Sequence, residues 1–329
     1  MKKVQLADYG VPEDVARCVE TDDVGEPGAG EVVFDVIAFP INPADISLCF
    51  GNYRVRPPLP VTPGAECIGR VRAVGDGVTH VAPGDLVINL LRENWAQQRR
   101  VPADAVVPVP AEIDLRQGAM LRINPATVSL MLSDIVALEP GEWVVQNVAN
   151  SAVGRLVIKI AKARGLKTLN VVRRPELVAE LEALGGDLCL VDGDDLGARA
   201  KADLGGSDPR LALDAVSGAA TQRIASCLAE EGTVCTYGAM SGEAPQISIA
   251  DIVFRGITLT GFMLGRFMAR RSLSEIRALY AELAADIIAG HLSAPVEQIY
   301  AIEDISIALA RARTGGRSGK ILVAPNGPI

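Results

Sequence analysis

A turn of small residues, Asn147 to Ala152, is the stretch of this sequence best suited to holding a charged ligand. It follows an apolar, β-branched run at Trp143 to Gln146 and precedes apolar residues at helical spacing, which predicts a strand, a tight turn and a helix. A second apolar run, Thr168 to Val172, predicts a parallel strand reached by a right-handed crossover. The turn is therefore expected at a helix N-terminus, where unpaired amides and the helix dipole attract phosphate.

Three small residues, Ala149, Ser151 and Gly154, stand where the dinucleotide-binding fingerprint usually has glycines. Their size keeps the backbone approachable, and Gly154 permits close packing of the helix on the strand. Arg173 and Arg174 follow the second strand, where an acidic residue would suit the ribose hydroxyls of NADH. Two cationic donors suit a 2′-phosphate instead, which predicts NADPH. An ordinary parallel-sheet unit with two solvated arginines is the alternative that these residues leave open.

The composition is that of a globular protein of 329 residues, long enough for one large or two ordinary domains. It is 49% hydrophobic and 22% charged, and no window approaches the roughly 20 apolar residues of a membrane span. The N-terminus lacks the features of a signal or transit peptide, which predicts a cytoplasmic protein. A net charge of −8 without a long basic cluster argues against nucleic acid and favours a small-molecule substrate.

The six cysteines and two histidines offer little material for a metal site. The cysteines show neither CxxC pairs nor secretory spacing, so we expect reduced thiols in or near the core. His80 lies in a turn-like stretch and His291 follows Gly290 at a predicted helix end, and both settings favour structural roles. No bound metal is predicted.

A change of pattern near residue 116 predicts two domains. Residues 1–115 hold short β-type runs between Pro and Gly turns, which indicates a partly open β-barrel. Residues 116–295 alternate helices with apolar strands, which indicates a doubly wound parallel sheet and an α/β fold class. The tail, 296–329, returns to short strands around a helix at 302–312, and we expect it to rejoin the first domain.

Several stretches together resemble the medium-chain dehydrogenase/reductase superfamily, and most closely its 2-enoyl thioester reductases of mitochondrial fatty acid synthesis. They cover nearly the whole chain: INPADI and GNY within 41–53, LPVTPGAE at 59–66, INPAT at 123–127, QNVANSAVG at 146–154, LNVVRR at 169–174, TYGAM at 236–240, TGFML at 260–264 and SGK at 318–320. GNY and NVANSAVG favour this subfamily over the quinone reductases of the same fold. The resemblance implies a GroES-like domain, a Rossmann domain and NADPH-dependent reduction of trans-2-enoyl thioesters carried by CoA or acyl carrier protein. It also implies a homodimer that pairs through the strand at 257–261.

The resemblance further implies an enzyme without zinc. Gly64, Ala65 and Glu66 stand where zinc alcohol dehydrogenases of the superfamily have Gly-His-Glu. The stretch LLRENWAQQRR contains no cysteine for a structural zinc. Hydride addition to a polarised carbon–carbon double bond is therefore favoured over alcohol oxidation.

By the same resemblance, Tyr53 is the proton donor, because a phenol stays protonated at neutral pH and can protonate Cα after hydride reaches Cβ. Taken singly, the other implied positions also have structural explanations, such as a helix cap for Asn124 or a solvated charge for Lys320. Trp95 suits either an acyl pocket or packing. The residues implied to line the NADPH site are Asn124, Asn150, Ser151, Ala152, Val153, Arg173, Arg174, Pro175, Tyr237, Gly238, Ala239, Met240, Phe262, Met263, Leu264 and Lys320.

Two substitutions separate the chain from the family pattern. Ala152 replaces a glycine in the phosphate turn, and we expect it to be tolerated if its φ is negative. Met263 replaces a tryptophan beside the nicotinamide, and a flexible thioether there would reshape the acyl pocket. A quinone or a smaller enone is therefore an alternative substrate. A non-catalytic crystallin-like or RNA-binding member of the superfamily is a further alternative, against which the net charge and Tyr53 stand.

Overall fold

The computed structural model describes residues 1–53 and 56–329. Its strands are β1 Lys2–Leu6, β2 Ala16–Glu20, β3 Glu31–Pro40, β4 Ile68–Val74, β5 Leu86–Asn89, β6 Gln98–Pro102, β7 Val106–Val109, β8 Trp143–Gln146, β9 Lys167–Val172, β10 Leu188–Val191, β11 Leu211–Asp214, β12 Thr233–Thr236, β13 Thr258–Gly261, β14 Val296–Tyr300 and β15 Lys320–Val323. Its α-helices are α1 Pro12–Val15, α2 Pro43–Cys49, α3 Leu115–Gly118, α4 Asn124–Asp134, α5 Ala152–Ala163, α6 Val178–Leu184, α7 Leu196–Asp203, α8 Ala219–Ala225, α9 Ile249–Phe254, α10 Leu264–Met268, α11 Leu273–Ile288 and α12 Ile305–Arg313. None of these helices is both long and apolar enough to cross a membrane.

The chain divides into two compact units, Met1–Ile123 with Ser272–Ile329, and Asn124–Arg271. These bounds differ from the predicted domains, which put 116–123 and 272–295 with the parallel sheet. The difference follows from packing, because α11 contacts β7 of the first unit. The buried Tyr280 side chain of α11 also donates a hydrogen bond of 3.0 Å to the carbonyl of Arg122.

The first unit is built on a mainly antiparallel sheet in the order β14-β15-β3-β4-β5-β7, and β6 also pairs with β3. Apolar residues from several strands form its core, in which Trp95 is fully buried and stacks on Phe39 with ring centroids 5.7 Å apart. Gly69 of β4 has no room for a side chain, since a Cβ there would lie 2.3 Å from the Phe34 ring. Trp95 could have lined an acyl pocket or packed in the core. Its complete burial against Phe39 shows that it packs in the core.

The second unit is a six-stranded parallel sheet in the order β10-β9-β8-β11-β12-β13. The centres of its strands are apolar and buried, as at Leu169, Ala212 and Val234, which is typical of a parallel sheet covered on both faces. Helix α5 forms the crossover from β8 to β9, as the sequence predicted. Because all six strands run the same way, the segments that follow them lie along one edge of the sheet, the one formed by the carboxyl ends of the strands.

Candidate active site

Most of the implied cofactor residues follow strands of the parallel sheet at that shared edge. Residues 150–153 follow β8, 173–175 follow β9, 237–240 follow β12 and 262–264 follow β13. Asn124 opens α4 in the same unit, whereas Tyr53 and Lys320 belong to the first unit. The sheet topology thus brings four separate sequence segments to one edge.

The turn between β8 and α5 is shaped for close approach by a ligand. The Ser151 side chain caps α5 and accepts a hydrogen bond of 3.0 Å from the Gly154 amide. A Cβ at Gly154 would lie 2.5 Å from the carbonyl oxygen of Ala149, so only glycine fits. Ala152 is the first residue of the helix and does not have a positive φ, so alanine is tolerated there. The first amides of α5 therefore point out of a compact turn, which fits a dinucleotide phosphate.

A buried polar network ties this turn to the segment after β11. Asn147 Nδ2 donates to Asp214 Oδ1 at 2.7 Å, and Asn147 Oδ1 accepts from the Ala215 amide at 2.8 Å. The fully buried Asp214 carboxylate also accepts hydrogen bonds from the Ser217 amide and the Thr221 hydroxyl. Since a buried charge is tolerated when several donors surround it, this network fixes the two loops relative to each other. Asp214 was not predicted as a site residue, although its sequence signal is an acidic residue at the end of an apolar strand.

Arg173 and Arg174 are exposed at the end of β9, where the sequence analysis expected a 2′-phosphate. Arg174 Nε lies 3.6 Å from an exposed Glu176 carboxylate. Exposed pairs of this kind contribute about 0–1 kcal/mol. Glu176 therefore does not prevent Arg174 from binding a phosphate.

The side chains in the segments after β12 and β13 differ in their exposure to solvent. The Tyr237 hydroxyl is buried without a hydrogen-bond partner among the described residues, and burial raises the pKa of this phenol. Met240 and Met263 are 68% and 40% exposed. Phe262 is buried and stacks on Phe267 with centroids 4.4 Å apart. Met240 and Met263 are thus the large apolar side chains of these segments that are exposed enough to contact a ligand.

Tyr53 lies just after α2 and is half-buried. Its ring packs against the Arg92 guanidinium, whose central carbon is 4.8 Å from the ring centroid. Further along the chain, the Pro57 carbonyl accepts a hydrogen bond of 2.6 Å from the Tyr9 hydroxyl. The Tyr53 phenol therefore lies beside a cation, Arg92, for which no role was predicted from the sequence.

Lys320 is 8% exposed and lies in a buried polar cluster of the first unit. Its ammonium donates to Asn42 Oδ1, and Asn42 Nδ2 donates to Glu66 Oε1 at 2.8 Å. Glu66 also accepts a hydrogen bond of 2.8 Å from the Ile123 amide. Burial lowers the pKa of Lys320, although the Glu66 carboxyl opposes that change. Within this unit, Lys320 thus stabilises the fold around Asn42 rather than forming the solvated charge that the sequence left open.

Glu66 gives the stability of the protein a pH dependence of known sign. Burial raises the pKa of its carboxyl from 4.5 to about 7, against the attraction of Lys320. Between these two values the folded chain binds more protons than the unfolded chain, so the Glu66 contribution to stability is full below about pH 4.5 and falls as the pH rises to about 7.

We therefore expect the stability of the wild type relative to Glu66→Gln to fall by roughly 1 to 3 kcal/mol from about pH 5 to about pH 8. Urea unfolding of both proteins across this range measures the effect, and glutamine serves as a non-titrating side chain of the same shape. A difference that does not vary with pH would show that Lys320 keeps the carboxylate ionised throughout.

The described residues contain no group of three or more His, Cys, Asp or Glu side chains that could hold a metal ion. Burial raises the pKa of Cys67 to about 12, so the thiol of this cysteine, adjacent to Glu66, stays protonated at neutral pH. The thiol donates a hydrogen bond to Asn94 Oδ1 at 3.3 Å. Cys67 is thus a packed core residue, as expected from the scattered cysteine spacing.

Comparison with known proteins agrees with this geometry. The family model described as zinc-binding dehydrogenase matches residues 152–283, and the alcohol dehydrogenase GroES-like domain matches residues 28–111. The mitochondrial enoyl-[acyl-carrier-protein] reductase of Rattus norvegicus is 36% identical over 318 residues, which cover 94% of this chain and 84% of the rat protein.

Solved structures of enoyl thioester reductases and of a quinone reductase share the fold of this chain. The mitochondrial 2-enoyl thioester reductase Etr1p/Etr2p heterodimer from Candida tropicalis has a TM-score of 0.87 and 26% identity, covering 98% of this chain and 99% of the other. A complex of Etr1p with NADP and crotonyl-CoA matches equally well, with a TM-score of 0.87 and 26% identity over the same shares of the two chains. A putative NADPH:quinone reductase from Bacillus thuringiensis has a TM-score of 0.91 and 25% identity over 98% of each chain.

These matches and the two folds define the class, a medium-chain dehydrogenase/reductase with a GroES-like and a Rossmann domain. Within that superfamily the chain belongs to the enoyl thioester reductases, which are oxidoreductases that act on CH–CH groups and use NADPH. The fold class, the family, the enzyme class and the cofactor predicted from the sequence are confirmed at this level. The roles of individual residues stay predictions.

Proposed function

We propose that this protein reduces the carbon–carbon double bond of trans-2-enoyl thioesters with NADPH, with the acyl chain carried by CoA or acyl carrier protein. Tyr53 donates the proton to Cα. The turn at 150–153 holds the pyrophosphate, and Arg173 and Arg174 hold the 2′-phosphate. The segments at 237–240 and 262–264, together with Asn124 and Lys320, complete the proposed cofactor site.

The observation that carries the proposal is the setting of Tyr53. Its phenol is half-buried and packs against the Arg92 guanidinium. A phenol in such a place can hydrogen-bond an oxyanion and then release a proton. The membership in the enoyl thioester reductases supports the proposed reaction.

Proton transfer from Tyr53 balances the reduction. The nicotinamide, when bound, supplies the hydride that reaches Cβ of the substrate. The electron pair left on Cα then forms a C–H bond with the phenol proton, while the O–H bond of Tyr53 breaks. Water returns a proton to the phenol oxygen and completes the cycle.

The test is NADPH oxidation by the purified protein with crotonyl-CoA and longer trans-2-enoyl-CoAs, compared with a quinone and a simple enone. Turnover of the thioesters, with NADPH much preferred over NADH, is the expected result. Turnover confined to the quinone or the enone would contradict the proposal and support the second candidate below.

That second candidate is an NADPH-dependent quinone or enone reductase. The observation that favours it is Met263, which stands at the position of a family tryptophan and is 40% exposed just before α10. A flexible thioether gives a less defined wall than an indole and would admit other electron-poor alkenes. The structural similarity to the putative NADPH:quinone reductase from Bacillus thuringiensis, with a TM-score of 0.91, also supports this candidate.

We further propose a homodimer that forms through β13, the outermost strand on one side of the parallel sheet. Among the described strands, β13 pairs only with β12, so its other side is open. An open edge invites pairing with another chain. Five large apolar side chains of α9 and β13 are exposed in the same unit, by 41% to 82%: Ile249, Ile252, Val253, Phe254 and Leu259. Side chains of this kind mark a protein interface, and a second copy offers the same edge and the same apolar groups.

We expect Ile249→Glu with Phe254→Glu to convert a dimer into a monomer, because two charges would be buried in the apolar contact. Light scattering after size exclusion at micromolar concentration measures the mass. Ile307→Glu, on a side chain of α12 that is 60% exposed, is the matched control and should stay dimeric. A monomeric wild type would refute the dimer.

A further inference from the structure

Arg92 lies in a segment whose backbone is fixed by two fully buried asparagines. Asn89 Nδ2 donates to Asn94 Oδ1 at 2.7 Å. Asn94 Nδ2 in turn donates to the carbonyls of Leu91 at 2.8 Å and Gly64 at 3.2 Å. Since buried amides with all these bonds do not shift freely, the Arg92 side chain starts from a defined position.

The Arg92 guanidinium lies between Tyr53 and Asp45. Nη1 is 3.4 Å from the Tyr53 hydroxyl oxygen, and Nη2 is 3.7 Å from Asp45 Oδ1. The Asp45 side chain is fully buried, while the Arg92 side chain is 38% exposed. Neither Arg92 Nη2 nor Asp45 Oδ1 has a hydrogen-bond partner within the described part of the chain. The carboxylate therefore has the guanidinium as its charge partner on that side.

Asp45 is itself held rigidly in α2. Its second oxygen, Oδ2, accepts a hydrogen bond of 3.0 Å from the Asn42 amide, as part of the capping box that starts the helix. Burial raises the pKa of Asp45, and the nearby Arg92 opposes that change. A buried carboxylate needs its cation, and removal of one partner of such a pair is costly. Asp45 thus anchors Arg92 in the orientation that meets Tyr53.

We propose that Arg92 is a positioning residue for Tyr53, anchored by Asp45, an inference that rests on the proposed role of Tyr53 as proton donor. A guanidinium N–H directed at the phenol oxygen occupies a lone pair and leaves the O–H free to point at the substrate. The packing of the Arg92 guanidinium over the Tyr53 ring also restricts the movement of the tyrosine side chain. When the O–H bond breaks and the proton forms the C–H bond at Cα, negative charge develops on the oxygen next to the cation. The hydrogen bond then becomes charge-assisted and shortens.

The test is a double-mutant cycle on kcat with a trans-2-enoyl-CoA. We expect Arg92→Met to lower kcat roughly 10- to 100-fold, because a hydrogen bond to a charged group has that effect on a rate. The KM for NADPH should change no more than it does in the control variant described below. In the Tyr53→Phe background the same substitution should change kcat little, because the oxygen on which Arg92 acts is gone. Arg92→Lys should recover part of the rate.

The control for losing an arginine is Arg100→Met, since Arg100 is paired with Glu31 at 3.6 Å elsewhere in the first unit. Thermal unfolding of each variant reports on the fold, and if Arg92→Met is unfolded, Arg92→Lys takes its place in the cycle. Equal effects of the Arg92 substitution in both backgrounds, or no effect at all, would overturn the inference and leave the role of Tyr53 intact. A Tyr53→Phe enzyme of undiminished rate would refute the role of Tyr53 and the inference with it.

Discussion

Tyr53→Phe is expected to lower kcat for trans-2-enoyl thioesters by about 10² to 10⁴, the range that general acid catalysis usually contributes. The substitution removes one oxygen and keeps the ring that packs against Arg92 at 4.8 Å. NADPH binding and the fold should therefore be unchanged. Steady-state kinetics with crotonyl-CoA, together with NADPH titration, separates the chemical step from binding.

Tyr300→Phe is the matched control, because the Tyr300 hydroxyl donates a hydrogen bond of 2.9 Å to the Gln298 side chain, well apart in sequence from the proposed site. It should leave kcat unchanged. Quinone reduction by Tyr53→Phe gives a second comparison, since a quinone accepts hydride without a proton placed at carbon. Unchanged turnover of thioesters by Tyr53→Phe would show that another group protonates Cα.

Replacement of both Arg173 and Arg174 by alanine should remove the preference for NADPH over NADH. Charge-assisted hydrogen bonds to a phosphate contribute roughly 10- to 100-fold each to affinity, and both arginines are exposed where β9 ends. We expect the KM for NADPH to rise by about that factor or more, with the KM for NADH nearly constant. The ratio of kcat/KM for the two cofactors is the measurement.

Lys201→Ala removes an exposed cation from the last turn of α7 in the same unit and controls for a general loss of charge. It should leave the cofactor ratio as in the wild type. Equal losses with NADPH and NADH in the double arginine variant would mean that the arginines support the fold of the loop. The 2′-phosphate would then have to be bound by other residues.

Local patterns made much of the second unit predictable. The predicted bounds of β8 agree with the structure, because apolar runs between polar breaks identify buried parallel strands. Short helices such as α2, α7 and α9 were not predicted, since six to eight residues carry little periodicity. The helix predicted at 302–312 corresponds to α12, which begins three residues later, at Ile305, and ends at Arg313. Helix ends depend on tertiary contacts that a local pattern does not contain.

The α/β fold class, the turn of small residues before α5 and the pair of arginines after β9 could be predicted from the sequence alone. Each of these depends on neighbours along the chain, such as residue size in a turn or spacing in a helix. The packing of α11 with the first unit and the burial of Lys320 against Asn42 became evident from the three-dimensional structure. The structure also placed Arg92 between Asp45 and Tyr53, residues up to 47 positions away. Contacts over such separations leave no periodic signal, because they arise when distant strands and loops fold together around a common core.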